Sequence, residues 1–296
     1  MATQQLPLTY RPAAPIWCAG CGHFAVQGAI ESALARLDLP PHEVVILAGI
    51  GCSGTVQNNV GTYGYHALHG RVLPAATGVA LSNPSLTVIG AGGDGDGYAI
   101  GLGHLAHAFR RDVSLLYIVM NNETYGLTKG QHSPTHDPPV AYESHTEASL
   151  DAVALGLSVG ATGFIARGYS GWYEQLERLT VEALTYTREQ RGFAFLEVIS
   201  PCITYRDAYP EWEHALVDLE AEADYDPRDR AGAFARSVRL REDGQLPAGL
   251  IYRDGREAGT PRPSPAHART DLAVMHDRYV ELAAAYTLDV DAEPVR

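Results

Sequence analysis

Lysine is almost missing from this sequence. Of 22 basic residues in 296, Lys129 alone is lysine and the rest are arginine. Positive charge is scarce altogether: 35 acidic side chains leave a formal net charge of −13. So acidic a chain is poorly suited to the phosphate backbone of nucleic acid or to an anionic membrane surface. Long apolar runs are missing too. None approaches the ~20 residues that span a bilayer, and the first fifteen residues carry no apolar segment of a secretory signal. These absences predict a cytoplasmic protein with no nucleic-acid and no membrane partner. Cysteine is limited to four positions and internal repeats are absent.

What is present is glycine, and short apolar runs that stop at polar loops. The run 86–91 ends at Gly92-Gly93-Asp94-Gly95-Asp96-Gly97, and the run 115–120 ends at Asn121-Asn122-Glu123-Thr124-Tyr125-Gly126. Such runs predict buried parallel strands. With a helix over 98–109 between them they make one β-α-β unit. Further strands are predicted over 44–48, 162–167 and 193–199. Helices are predicted over 24–37, from about 75 past 79, near 148–159 and over 172–191. The fold class expected is α/β: a mostly parallel sheet with helices on both faces. Residues 1–205 form this domain and 206–296 an irregular C-terminal extension. Within the extension, 211–224 reads as an acidic solvated helix face, 228–241 as a basic stretch, 255–265 as a linker and 270–286 as a terminal helix.

In open parallel sheets ligands bind outside the carboxyl ends of the strands. Asp94 and Asn122 stand at two such ends. They are hard oxygen donors suited to Mg²⁺, which usually holds phosphate groups. Asp94 alone could serve as a helix N-cap; that leaves Asn122 unexplained. Lys129, retained against the compositional trend, follows the second loop and is a compact donor for an anionic group.

The four cysteines are Cys18, Cys21, Cys52 and Cys202. The first two form a C-x-x-C pair, and the other two follow predicted strands. All sit in Gly/Pro/Ser loops rather than inside apolar runs, where a cysteine serving as a small buried hydrophobe would lie. A four-thiolate site accounts for all of them, and a redox C-x-x-C for only two. Zinc sites usually show two such pairs, so iron–sulfur is favoured over zinc.

Taken in order, Trp17-Cys18-Ala19-Gly20-Cys21-Gly22, Gly49-Ile50-Gly51-Cys52-Ser53, His69-Gly70-Arg71, Gly93-Asp94-Gly95-Asp96, Asn121 through Gln131, Ser133-Pro134-Thr135 and Pro201-Cys202 resemble one family. It is the β subunit of 2-oxoacid:ferredoxin oxidoreductases, closest to the 2-oxoglutarate type, and the motifs cover residues 16 to 205. The resemblance implies the diphosphate-binding half of a thiamine diphosphate fold. Its cofactors would be thiamine diphosphate, Mg²⁺ and one [4Fe–4S] cluster. By matching position, Cys18, Cys21, Cys52 and Cys202 would bind the cluster. Asp94, Asn122 and the Thr124 carbonyl would bind Mg²⁺. Gly51, Cys52, Ser53, His69, Gly93, Asp94, Gly95, Asp96, Asn122, Thr124, Tyr125, Gly126, Leu127 and Thr128 would form the cofactor shell. His69, Leu127 and Lys129 are the candidates for the reacting substrate.

The activity implied is coenzyme A-dependent oxidative decarboxylation of a 2-oxoacid to acyl-CoA and CO₂, with electrons passed through the cluster to ferredoxin. Many relatives carry a basic residue two positions after the Cys-Ser pair. Gly54-Thr55 stands here, so the substrate's second carboxylate would need Lys129, His69 or Arg71. The activating Glu of thiamine enzymes lies on a pyrimidine-binding domain for which this chain has no room. An α subunit is therefore the expected partner, in an α2β2 assembly, supplying that Glu and coenzyme A contacts. A pyruvate or branched-chain enzyme subunit, a non-catalytic zinc scaffold and a non-redox thiamine enzyme are the alternatives. The basic stretch 228–241 is a candidate dock for ferredoxin. His104 with His107, and His132 with His136, read as ordinary solvated or packed pairs.

Overall fold

The computed structural model describes residue 10, residues 13–137, 140–142, 145–160, 163–190 and 192–257, and residues 277, 280 and 281. The described chain enters helix α1 (His23–Arg36), then β1 (Val44–Ala48), a single turn α2 (Val56–Asn59) and β2 (Tyr63–His66). Helix α3 (Val72–Ser82) leads to β3 (Thr87–Gly93), α4 (Leu102–Arg111) and β4 (Leu115–Asn121). Two small hairpins follow: β5 (Thr124–Tyr125) with β6 (Gln131–His132), and β7 (Val140–Tyr142) with β8 (His145–Glu147). Next come α5 (Ala152–Val159), β9 (Phe164–Tyr169), α6 (Tyr173–Glu189) and β10 (Phe193–Ile199). The last elements are α7 (Tyr209–Ala215), β11 (Leu216–Asp218), α8 (Arg230–Glu242) and β12 (Leu246–Arg253).

Eight strands form one sheet in the order β11-β12-β9-β10-β4-β3-β1-β2. Every neighbouring pair is parallel except β12 with β9. The central strands are buried along their whole length, because a parallel sheet is covered on both faces and alternation is lost. On one face α1 and α6 pack through Ile30, Leu34, Leu176 and Leu184. On the other, α3, α4, α5 and α8 pack through Leu73, Leu105, Leu157 and Leu240. Among the described residues no helix is long and apolar enough to cross a membrane.

From β1 the chain goes outward to β2 and then returns to β3 on the other side of β1. The direction of winding reverses there, and the loops after β1 and β3 part to leave a crevice. The register carries the ends of the strands to one level. Ala48 pairs with Ala91, Gly93 with Met120, and Ile199 with Asn121. Loops 49–54, 94–96, 122–128 and 200–202 therefore leave the same end of the sheet.

The sheet does not stop at residue 205. Residues 206–253, read as an irregular extension, contain α7, β11, α8 and β12, and β12 joins the sheet beside β9. Pro247, Gly249 and a register shift at Leu250/Tyr252 break its apolar pattern, and β11 is only three residues long. The acidic stretch 211–224 is not one solvated helix face: Trp212, Leu216 and Leu219 are buried. Edge strand β2 is not among the predicted strands, because all four of its residues are exposed and supply no apolar pattern. The terminal helix expected over 270–286 falls outside the described residues apart from 277, 280 and 281, which are helical. Contacts divide the chain into two units, Met1–Arg262 and Pro263–Arg296.

Candidate active site

The loops at this end of the sheet enclose a cavity of about 300 Å³. Its wall is made by Gly51, Cys52 and Ser53 after β1, and by His69 before α3. Gly93, Asp94, Gly95 and Asp96 come from the end of β3, and Asn122 and Thr124–Thr128 follow β4. The whole cofactor shell expected from the sequence thus lines one cavity. Ile50 lines it too and was not foreseen, since an apolar residue between two glycines gives no signal of its own. Lys129 is exposed, with a left-handed backbone (φ 76°), and is outside the wall.

Asp94 is buried (1% exposed). Its Oδ2 accepts hydrogen bonds from Ser133 Oγ (2.5 Å) and Thr135 Oγ1 (2.6 Å). Burial pushes its pKa up, and those hydroxyls with backbone N–H groups only partly offset the rise. Among the described residues it has donors but no cationic partner. Asn122 is held by the Thr124 N–H donating to its Oδ1 (3.2 Å). The left-handed backbone of Glu123 (φ 59°) turns the chain between them. Two hard oxygen donors in one wall, one a buried carboxylate without a counter-ion, are a donor set that Mg²⁺ fits.

Asp96 binds loops together. Its Oδ1 accepts from Ile50 N (3.0 Å), Gly70 N (2.9 Å) and His69 Nδ1 (3.1 Å). In the neutral imidazole, donation of Nδ1–H to that carboxylate leaves His69 Nε2 as an acceptor. Gly49 must be glycine here, because a Cβ would come within 2.4 Å of the Asp96 carboxylate. Glu123, also buried, keeps Oε1 unpartnered while Oε2 accepts from Arg206 Nε (3.1 Å). Burial raises its pKa to about 8, against the pull of Arg206.

All four cysteines are free thiols, and Cys18 is exposed. Burial pushes Cys21 up to about 11, and Cys202, Cys52 and Cys18 each add to the rise. Cys52 is likewise raised by burial, then by Cys202 and Cys18. The four therefore share one electrostatic neighbourhood. A methyl group on Gly126 would lie 3.4 Å from Cys52 Sγ and 3.7 Å from Cys202 Sγ. Gly126 and Cys52 both line the cavity, so one of the four cysteines is itself part of the wall. Among the described residues no three Cys, His, Asp or Glu side chains are grouped to hold a single metal ion. A zinc ion needs its thiolates about 2.3 Å from one centre. Four thiols are also the ligand number of a [4Fe–4S] cluster.

Trp17 Nε1 donates to the Cys52 carbonyl (2.7 Å), and its ring meets His23 and Phe24 edge-on. His23 is buried against Ser200 Oγ (2.7 Å), and burial lowers its pKa from 6.5 to about 4. The unfolded chain takes up that proton near pH 6.5 and the folded chain only near 4, so acidification through this window favours unfolding. The loss over the whole window is about 3 kcal/mol. His23→Gln is expected to flatten the fall of melting temperature between pH 6.5 and 4; an unchanged slope would exclude His23 as the cause.

Peripheral candidates separate from the site. Arg71 lies beside His104 Nε2 (3.1 Å), and Arg110 beside His107 Nδ1 (3.4 Å). The His132 and His136 rings lie tilted by 49° with centroids 3.9 Å apart. In the basic stretch, Arg236 pairs with Glu222 and Arg241 binds Ser149. Of the five arginines there, Arg236 and Arg241 face carboxylates, Glu222 and Asp151.

Residues 49–198 match the family described as thiamine pyrophosphate enzyme, C-terminal TPP binding domain. A relative from Aeropyrum pernix, 2-oxoacid:ferredoxin oxidoreductase 1 subunit beta, is 35% identical over 249 residues, covering 80% of this chain and 77% of the relative. The 2-oxoacid:ferredoxin oxidoreductase subunit beta of Saccharolobus solfataricus is 40% identical over 219 residues, covering 71% and 70%. Among solved structures, the 2-oxoglutarate:ferredoxin oxidoreductase from Magnetococcus marinus, with 2-oxoglutarate, coenzyme A and succinyl-CoA bound, superposes with a TM-score of 0.77. It is 30% identical and covers 97% of both chains.

Proposed function

The chain belongs to the β subunits of the 2-oxoacid:ferredoxin oxidoreductases, and we propose that it carries the metal and diphosphate end of the thiamine site beside a [4Fe–4S] cluster. The observation that carries this reading is the single wall shared by Asp94, Asn122, Thr124 and Cys52. In it, Asp94, Asn122 and the Thr124 carbonyl would hold Mg²⁺, which would supply the positive charge for a diphosphate. Gly93, Gly95 and Gly126 let the backbone approach the cofactor, and Ser53 and Thr128 supply hydroxyls. Asp96 fixes the neutral His69 with Nε2 as the acceptor, toward the substrate. When bound, thiamine diphosphate supplies the electron sink through which a 2-oxoacid loses CO₂. Cys18, Cys21, Cys52 and Cys202 would hold the cluster, which would supply a one-electron acceptor on the way to ferredoxin. The acyl group passes to coenzyme A. Leu127, 60% exposed, is the apolar wall of the substrate pocket.

The substrate we assign is 2-oxoglutarate, on the likeness to the solved 2-oxoglutarate enzyme. Among the described residues the cavity wall holds no Lys or Arg. A cation for the second carboxylate then comes from His69 in the wall, from Lys129 or Arg71 outside it, or from the partner.

The site is half a site. Its mouth is rimmed by Ile50 (40% exposed), and Leu68 (77%) and Ile100 (52%) stand exposed on the loops tied to Asp96 and Gly70. Exposed apolar side chains grouped at a site mark an interface, which we assign to an α subunit bearing the activating Glu and coenzyme A contacts. The purified chain with 2-oxoglutarate, coenzyme A and ferredoxin is expected to give no turnover until the co-purified partner is added. Turnover by the chain alone would overturn the half-site reading. A panel of 2-oxoacids with the complex tests the substrate; preference for pyruvate would overturn that assignment alone.

A further inference from the structure

The Ser133-Pro134-Thr135 motif has no part in the function described so far, yet it bears on the carboxylate at the centre of the site. Both hydroxyls converge on one oxygen of Asp94, Oδ2, at 2.5 and 2.6 Å. Thr135 Oγ1 also lies 2.8 Å from Asn121 Oδ1. Asn121 is itself fixed: its Oδ1 accepts from Glu123 N (3.2 Å) and its Nδ2 donates to Glu197 Oε1 (3.3 Å). Glu197 is pinned in turn by Tyr98 O–H (2.8 Å) and Arg167 Nε (2.5 Å). Asp94, Thr135, Asn121, Glu197 and Arg167 are all buried, and the last four line a second cavity of only about 20 Å³.

We infer that Thr135 is a positioning residue for the metal-binding carboxylate: with Ser133 it holds Asp94 Oδ2 and so sets how readily the site takes Mg²⁺. The inference rests on the reading of Asp94 as a Mg²⁺ ligand. A hydroxyl has one hydrogen. With Asp94 ionised that hydrogen goes to Oδ2, since the alternative sets a lone pair against a carboxylate at hydrogen-bond distance. Asn121 Oδ1 then accepts from Glu123 N alone, and Thr135 is oriented by Asp94 and by its own loop. The loop cannot easily move away, because Leu150 N donates to the Pro134 carbonyl (2.8 Å) and Ser149 Oγ to the Thr135 carbonyl (3.0 Å). Asp94 is thereby held in one rotamer before the cation arrives. Groups that orient a ligand in this way typically change metal affinity 10–100-fold when removed.

The test uses the complex of this chain with its α partner, stripped of metal and cofactor. Mg²⁺ is titrated at fixed thiamine diphosphate, and binding is read by intrinsic fluorescence. Thr135→Val, which keeps the shape and loses the hydroxyl, is expected to need about tenfold more Mg²⁺ for half-saturation. Thr135→Ser is expected to restore the wild-type requirement, and Ser133→Ala to raise it in the same direction. An unchanged Mg²⁺ requirement in Thr135→Val and Ser133→Ala overturns the inference, even if the ligand-free melting temperature falls, because that marks a structural role only. If Thr135→Val does not fold, Ser133→Ala alone decides. Failure of the wild-type complex to bind thiamine diphosphate in a Mg²⁺-dependent way removes the metal-site reading and the inference with it. Wild-type binding with unaffected variants removes the inference alone.

Discussion

Replacing Arg167 with Met is expected to destabilise the chain by about 3–5 kcal/mol, the usual cost of stripping one partner from a buried ion pair. Arg167 is 1% exposed. Its Nε donates to Glu197 Oε2 (2.5 Å), one terminal nitrogen to Asp151 Oδ1 (2.9 Å) and the other to the Pro247 carbonyl (3.1 Å). One guanidinium thus joins β9, β10, the N-cap of α5 and the start of β12. Burial pushes Asp151 up, but Arg167 and Arg241 hold its carboxyl below the ordinary range. Without Arg167, Glu197 and Asp151 are two carboxylates left in the interior. Glu197 keeps Tyr98 and Asn121 as donors, but no cation. For a chain of this size the loss corresponds to a fall in melting temperature on the order of 10 °C. Met fills much of the same volume, so a cavity is a minor part of the loss. The double variant Arg167→Met with Glu197→Gln tests that directly. Gln keeps an acceptor for Tyr98 and Asn121 and removes the stranded charge, so it should recover more than half of the loss. A double variant no more stable than the single one would mean that packing, not charge, is what Arg167 supplies.

That pair also shows where sequence reasoning ends. Glu197 sits inside the run Phe193–Ile199, and Arg167 closes a predicted strand, so each reads as a blemish in an apolar pattern. Nothing in one dimension joins them, because the contact depends on β9 and β10 lying side by side, where Glu197 pairs with Arg167 in register. The strands themselves were legible. Runs 44–48 and 193–199 are strands over those same residues, because a strand buried on both faces is written as an unbroken apolar run. The helix expected over 98–109 is two pieces, a wide π-type turn over Gly95–Ile100 and then α4. Gly95, Gly97 and Gly101 permit the wider turn, and periodicity alone does not show it. In the site, residues at strand ends were legible because the sheet delivers them together. The hydroxyls of Ser133 and Thr135 were visible only as a motif without a role, since their target is a residue about forty positions earlier. β12 was illegible for a different reason: it joins the sheet antiparallel at its weakly patterned side, with a proline and a glycine in its own span.

Cys52→Ser is expected to separate the two halves of the proposed chemistry. Cys52 follows β1 and lines the cavity, and its Sγ faces Gly126 on the side shared with Cys202. Its carbonyl accepts from Trp17 Nε1 (2.7 Å) and Thr55 Oγ1 (2.9 Å), so the loop is held by bonds that do not involve sulfur. Serine keeps those bonds and the backbone, but its hydroxyl is a poor ligand for iron, for which thiolate is the common donor. Prepared without oxygen, the wild-type complex should be brown with broad visible absorption and the variant should lose most of its iron. Ferredoxin reduction should fall by orders of magnitude, since the electrons have no acceptor within the chain. Asp94, Asn122 and Thr124 are untouched, so Mg²⁺-dependent binding of thiamine diphosphate should persist with at most a few-fold change. Cys18→Ser is the control. Cys18 is exposed and outside the cavity wall, so it should lose iron equally and leave cofactor binding at the wild-type level. Retention of iron by both variants would remove these cysteines from the cluster. A colourless wild-type protein carrying one zinc per chain would replace the redox reading with a structural one. Loss of cofactor binding together with iron in both variants would mean that the cluster shapes the cavity as well as draining it, and that the two sites are not independent.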